Sequence, residues 1–345
     1  MDLSTIIPQF GNVIWTLVAF ISALSVIVAI HEYGHYIVGR WTGIKADVFS
    51  LGFGPVLWSR MDGRGTLWQV AALPFGGYVK FAGDADAASG VDADAMATAK
   101  ADPVRLRETM HGAPVWARAL TVAAGPAFNF ALSILVFALV MLGGGVAKDP
   151  LSVGELRALP TIERGLEAGD EIQTVAGMRI PSAQDAPAYS AFYDGLPKGE
   201  TLEYGVMRAG ASVMVTDAQL LPPLISALSP QSAAMQAGLR VGDVITHVDG
   251  TAIYAFDALK FSVENGAGAP LALTVWRAGQ TLTMTLTPKR VDEPLPEGGF
   301  GTQWRIGIAG GMSFEPLTQR PGIGDALWGG VQQTGRIISG SLSGL

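Results

Sequence analysis

Two long apolar stretches interrupt an otherwise mixed, glycine-punctuated chain. No charged residue occurs from Leu3 to Ile30, and none between Arg118 and Lys148. Runs of this length match a hydrocarbon core of ~30 Å, so the pattern predicts spanning helices over 13–38 and 119–146. Arg40 and Lys45 follow the first span and Arg105, Arg107 and Arg118 precede the second, while the N-terminal flank carries no basic residue. The excess of Lys and Arg then puts the connecting loop in the cytoplasm and both outer ends outside. The N-terminus has no basic n-region and no small-residue cleavage site, so the first span reads as a retained membrane helix.

Between the spans, Ser50–Pro55 and Leu73–Lys80 bracket a segment with strand character, Leu67–Leu73. Glycine and proline clusters around apolar strands predict a β-hairpin. An apolar hairpin beside a span can dip into the membrane where protein or water satisfies its backbone, and its edge can pair with an extended substrate. An amphipathic hairpin on the membrane surface satisfies the same pattern. The Ala- and Asp-rich stretch 84–102 reads as a solvated loop.

From Pro150 the pattern changes to short strands with turn residues. Gly165–Gly177 and Gly238–Gly250 share G-L-x-x-G-D-x-I-x-x-V-x-G, seven identities at fixed spacing, and each is followed by a strand ending Arg-Ala-Gly (208–210 and 277–279). Two copies of one small α+β module follow, at 151–219 and 220–292. Residues 293–345 read as a linker and an amphipathic helix that dissolves into Gly and Ser.

Composition sharpens this picture in three places. At 345 residues there is room for two or three domains, and 49% hydrophobic against 15% charged residues assigns part of the chain to lipid. A net charge of −7 without a basic block excludes nucleic acid as a partner. Cysteine is absent, so a metal would have to be held by His, Asp or Glu.

The chemistry concentrates at the end of the first span, in His31-Glu32-Tyr33-Gly34-His35. On a helix, His31 and His35 lie one turn apart on one face and can hold one zinc ion, with Glu32 beside them as general base. Ionisable residues within a span are costly and mark function. In the second span Asn129 needs a partner in lipid. It could steady a neighbouring helix or take part in substrate binding. Gly125-Pro126 nearby reads as a cap or a kink.

These residues resemble the site-2 protease family of intramembrane zinc metalloproteases, of the bacterial RseP type. The resemblance rests on H-E-x-G-H at 31–35, Gly52-Phe53-Gly54-Pro55, Leu73–Lys80, Gly125-Pro126-x-x-Asn129-Phe130 and the two modules, which are PDZ-like. It implies a membrane α-helical catalytic core (1–148) with a membrane-associated β-hairpin, followed by two tandem α+β PDZ-like domains in the periplasm. It implies Zn2+ held by His31 and His35, with Glu32 as base and Gly76 and Gly77 in the substrate-binding hairpin. The implied activity is cleavage of single-span membrane proteins, such as an anti-sigma factor after a first cut, in the bacterial inner membrane with the site nearer the cytoplasm. In the family a third ligand comes from an Asp in an L-D-G motif on a later span. No such motif occurs here, so the resemblance implies a truncated form, inactive alone.

The modules support a second class of function, a membrane-anchored PDZ scaffold or peptide-binding module without catalysis. PDZ domains capture extended peptides or C-termini by strand addition. In the second repeat, the strand containing Ile225 and the loop at Gly238 and Leu239 are the expected groove.

Overall fold

A computed structural model describes residues 13–86, 90–160, 163–181, 186–294 and 299–343. The chain divides into two compact units, one running to Leu139 and including Asp325–Gly335, the other formed by Val140–Gly324 and the residues from Arg336 onward.

In the first unit, α1 (Val13–Trp41) carries the first apolar run past the expected end at 38. Strands β1 (Ala46–Met61) and β2 (Leu67–Phe81) form the expected hairpin. It is folded back on itself: Val48–Leu51 lies between Gly77–Lys80 on one side and Leu67–Val70 on the other, with Val56–Met61 outermost against Leu67–Ala71. Its base packs through Phe49, Val79 and Phe81 with Tyr36 and Ala117 in one core. Asp62 pins the turn. The Thr66 and Arg64 amides, the Trp68 indole and the Tyr36 hydroxyl all donate to its carboxylate. Chiefly through the Thr66 amide, that carboxyl is held down at about 2.

The stretch 84–102 expected as loop contains one short helix, α2 (Ala93–Ala99), and ends on the N-cap of another, α3 (Pro103–Glu108). The aspartates supply their caps: Asp92 accepts from the Ala95 amide and Asp102 from the Val104 amide. A composition read as solvating thus includes two helix starts.

Helix α4 (Val115–Gly144) begins earlier than the expected 119. Gly125-Pro126 therefore lies well inside the helix and does not cap it. The helix stops at Gly144, before Gly145 with φ +76. At about 1.5 Å per residue, α1 and α4, of 29 and 30 residues, are long and apolar enough to cross a membrane. They touch closely: a Cβ on Gly34 would lie 2.7 Å from the Ala124 carbonyl oxygen.

In the second unit, β3 (Val146–Ala147) and β4 (Val153–Leu156) lead into a sheet of β5 (Glu171–Val175), β6 (Met178–Arg179), β7 (Thr201–Arg208) and β8 (Ala211–Ala218), with helix α5 (Ala186–Gly195). The second repeat runs through β9 (Ile225–Leu228), α6 (Ala233–Gln236), β10 (Val244–Val248), β11 (Thr251–Ala252), α7 (Phe256–Asn265), β12 (Leu271–Arg277) and β13 (Gln280–Leu286). The strand orders correspond, β6-β5-β7-β8 and β11-β10-β12-β13. The shared motif has a physical basis. Arg208 grips Asp170 with Nε and Nη2 at 2.7 and 2.6 Å, and Arg277 grips Asp243 at 2.6 and 2.7 Å. In each pair the aspartate is buried, and the same arginine also donates to the motif's opening Gly carbonyl, Gly165 or Gly238. The turns Ala176-Gly177, Ala209-Gly210, Asp249-Gly250 and Ala278-Gly279 have positive φ at both positions, as tight hairpin turns require.

The chain does not become a linker at 293. It continues as β14 (Lys289–Pro294), β15 (Phe300–Arg305), β16 (Ile308–Gly310), β17 (Phe314–Pro316) and β18 (Thr318–Gln319) before α8 (Ile323–Ser343). Strand β16 pairs with β9, and Ile306 enters the second core. Strand β17 pairs with β4, and Phe314 enters the first core. The second module is thus inserted within the first, which closes only after residue 313. Phe314→Ala should cost about 3–5 kcal/mol in the first module alone. Hydrogen exchange should accelerate at Val153, Tyr204 and Val206 and not at Ile245 or Leu273; equal loosening of both would refute the nesting. Helix α8 is continuous through its Gly and Ser residues, and Gly330 abuts the Ile134 carbonyl of α4.

Candidate metal centre

Helical spacing in α1 places His31 and His35 on one face, with ring centroids 4.7 Å apart and edge to face. Their Nε2 atoms converge to 3.1 Å. Two imidazoles on one tetrahedral zinc, with Zn–N of about 2.0–2.1 Å, hold their nitrogens about 3.3–3.4 Å apart. The pair therefore suits two corners of such a site. Among the described residues no group of three or more His, Cys, Asp or Glu side chains is placed to hold one ion.

Helix α4 furnishes the wall behind the pair. The Thr121 carbonyl oxygen is 2.7 Å from His35 Nδ1, and the Asn129 Nδ2 is 3.1 Å from His31 Nδ1. Between them, Gly125 leaves open the space the two Nε2 atoms share. A Cβ there would lie 2.3 Å from His35 Nε2 and 2.7 Å from His31 Nε2. Thr121, Gly125 and Asn129 recur at intervals of four, one face of α4 answering one face of α1. The sequence reading missed Thr121 and Gly125 in these roles; the shared four-residue period was the available signal.

The hairpin closes another side. The Val79 backbone lies near the Glu32 carboxylate. A Cβ on Gly77 would approach Glu32 Cγ to 3.3 Å and the Ser50 carbonyl to 2.7 Å, so strand and helix meet here without a side chain between them. Gly76 faces the Phe53 ring instead. Farther along, Ser25 Oγ donates to the Pro74 carbonyl at 2.7 Å. Ser25 is about 10 Å from Glu32 along the helix, so the hairpin tip follows α1 into its apolar part. Phe53, Leu57, Trp58, Leu73 and Phe75 are exposed on this hairpin, a surface suited to lipid.

Five of the expected residues thus come together, His31, Glu32, His35, Gly77 and Asn129, with Gly76 adjoining. The others belong to the second module and are placed differently from expectation. Ile225 and Leu239 are core residues, 0% and 3% exposed. One edge of β9 pairs with β16, and Ile225 itself is bonded through its backbone to Gly242 and Asp243. Gly238 is a turn at φ +83 whose carbonyl receives Arg277. The second module's open cavity, about 700 Å³, lies elsewhere, lined by Phe256, Leu259 and Val263 of α7 and by Arg305–Ile308.

Span-length helices carrying a paired-imidazole H-E-x-x-H turn describe a membrane protein of metalloprotease type. The chain matches peptidase family M50 over residues 19–343 and belongs to that family. It is 31% identical over 347 residues to a protein of Agrobacterium fabrum that bears a zinc-metalloprotease name, an alignment covering 99% of this chain and 71% of that protein. It is also similar to metalloprotease MmpA of Caulobacter vibrioides, at 38% identity over 65% of this chain and 57% of the relative. Similarity to the regulator of sigma-E protease RseP of Salmonella typhimurium is 30% over 80% of this chain and 64% of the relative.

Proposed function

We propose that this protein is a zinc endopeptidase that cuts membrane proteins within the bilayer of the bacterial inner membrane. The observation that carries the reading is the convergence of His31 and His35 Nε2 on the gap left by Gly125, with Glu32 alongside. The cofactor is Zn2+, as in the names of the relatives, and His31 and His35 would hold it with a further protein ligand. When bound, it supplies a water acidic enough to ionise near neutral pH and a Lewis acid for the scissile carbonyl. Glu32 takes the proton from the attacking water and delivers it to the leaving amine nitrogen. The hairpin edge at Gly77–Val79 beside Glu32 would align an unwound substrate segment by main-chain hydrogen bonds. The dry surroundings of the two helices strengthen these electrostatic interactions.

The substrate class is a single-span membrane protein, such as an anti-sigma factor already cut once, in regulated intramembrane proteolysis. The distribution of Arg and Lys supports a cytoplasmic hairpin and periplasmic PDZ-like modules. A second reading, peptide capture by those modules, is favoured by the cavity beside α7, whose apolar wall suits an extended peptide. The test is zinc content and reporter cleavage by the detergent-purified full-length protein. About one zinc per chain, lost with cleavage in His31→Ala, is the expected result. Absence of zinc from wild type would overturn the protease reading and favour the scaffold.

A further inference from the structure

The two histidines differ in what stands behind them. The Thr121 carbonyl can only accept, so His35 Nδ1 carries a proton and its Nε2 a lone pair. That lone pair lies 3.1 Å from His31 Nε2, which must therefore donate. A neutral His31 is then bare at Nδ1, and there it accepts from the Asn129 amino group at 3.1 Å. The three hydrogen bonds form one consistent chain without metal. Asn129 Oδ1 is left buried with no partner among the described residues.

Holding zinc requires both Nε2 lone pairs. The His31 proton must then reside on Nδ1, where an amino group cannot receive it. A half-turn of the amide brings Oδ1 into that place. Either orientation leaves one end of the amide unpaired, so the two differ chiefly in their bond to His31. We propose that Asn129 is the positioning residue of this centre: its amide oxygen accepts from His31 Nδ1–H in the zinc-bound state, and its amino group donates to Nδ1 in the metal-free state. One proton changes ring nitrogen, the imidazole stays neutral, and none is released from it. The proposal rests on the reading of His31 and His35 as zinc ligands.

The test is zinc affinity of the full-length protein in detergent, by competition with a chromophoric chelator. Asn129→Ala should weaken binding about 10–100-fold. Asn129→Asp should restore it to within about threefold of wild type, because a carboxylate accepts from Nδ1–H. A role as donor to His31 requires Asp to be at least as damaging as Ala, and that result overturns the proposal. Should the Asp variant fail to fold, 15N-histidine spectra of wild type decide. The His31 proton should move from Nε2 to Nδ1 on adding zinc, and an Nδ1 proton in both states overturns the proposal. Unchanged affinity in the Ala variant overturns it alone, whereas absence of zinc from wild type removes the metal reading with it.

Discussion

Glu32→Gln is expected to lower cleavage of a single-span reporter in proteoliposomes by about 10²–10⁴-fold while zinc content stays at the wild-type level. Glutamine keeps the volume and an accepting oxygen, so the close contact of α1 with the hairpin at Gly77 survives. What it cannot do is take a proton at neutral pH. The loss should therefore lie in kcat with KM little changed, because in the proposed mechanism backbone groups of the hairpin, and not Glu32, would align the substrate. Wild-type turnover in this variant would remove Glu32 from the chemistry. Loss of zinc together with activity would make it a structural support of the metal site instead.

How much of this centre was legible in the chain depends on sequence distance. His31, Glu32 and His35 are read directly because helix periodicity alone brings them to one turn. The hairpin was legible for a similar local reason: its apolar strands are bounded by Gly and Pro. Asn129 stood out as an amide in an apolar run, but its partner lies 98 positions earlier. Nothing local says which helix faces which. The shared motif of the modules was visible because Asp170 with Arg208, and Asp243 with Arg277, repeat at corresponding positions. The nesting was not, because Phe314 looks like any apolar residue after a glycine pair and reveals its core only through pairing with β4. The groove misplaced onto Ile225 and Leu239 has the same origin. Strand-like residues in a binding module can line a groove or fill the core, and only tertiary pairing decides between them.

Gly125→Ala should separate fold from function more cleanly than any substitution in the motif itself. A methyl on this residue enters the space shared by the two Nε2 atoms, at 2.3 and 2.7 Å, distances no real contact sustains. The atoms it meets are the ends of two imidazole side chains, which can swing away by rotation about χ1 and χ2. The backbone is not obstructed, and alanine in a helix interior is favoured over glycine by about 1 kcal/mol. Thermal stability should therefore stay near wild type, while zinc affinity falls by more than about 100-fold, beyond the range typical of a supporting residue. Gly34→Ala is the contrasting case. Its methyl would meet the Ala124 carbonyl oxygen at 2.7 Å, a backbone atom that moves only with the helix, so there the α1–α4 contact itself should loosen and melting should fall. If Gly125→Ala retains tight zinc, the metal does not occupy the gap between these helices. If it melts early as Gly34→Ala should, the glycine serves packing and the gap is incidental.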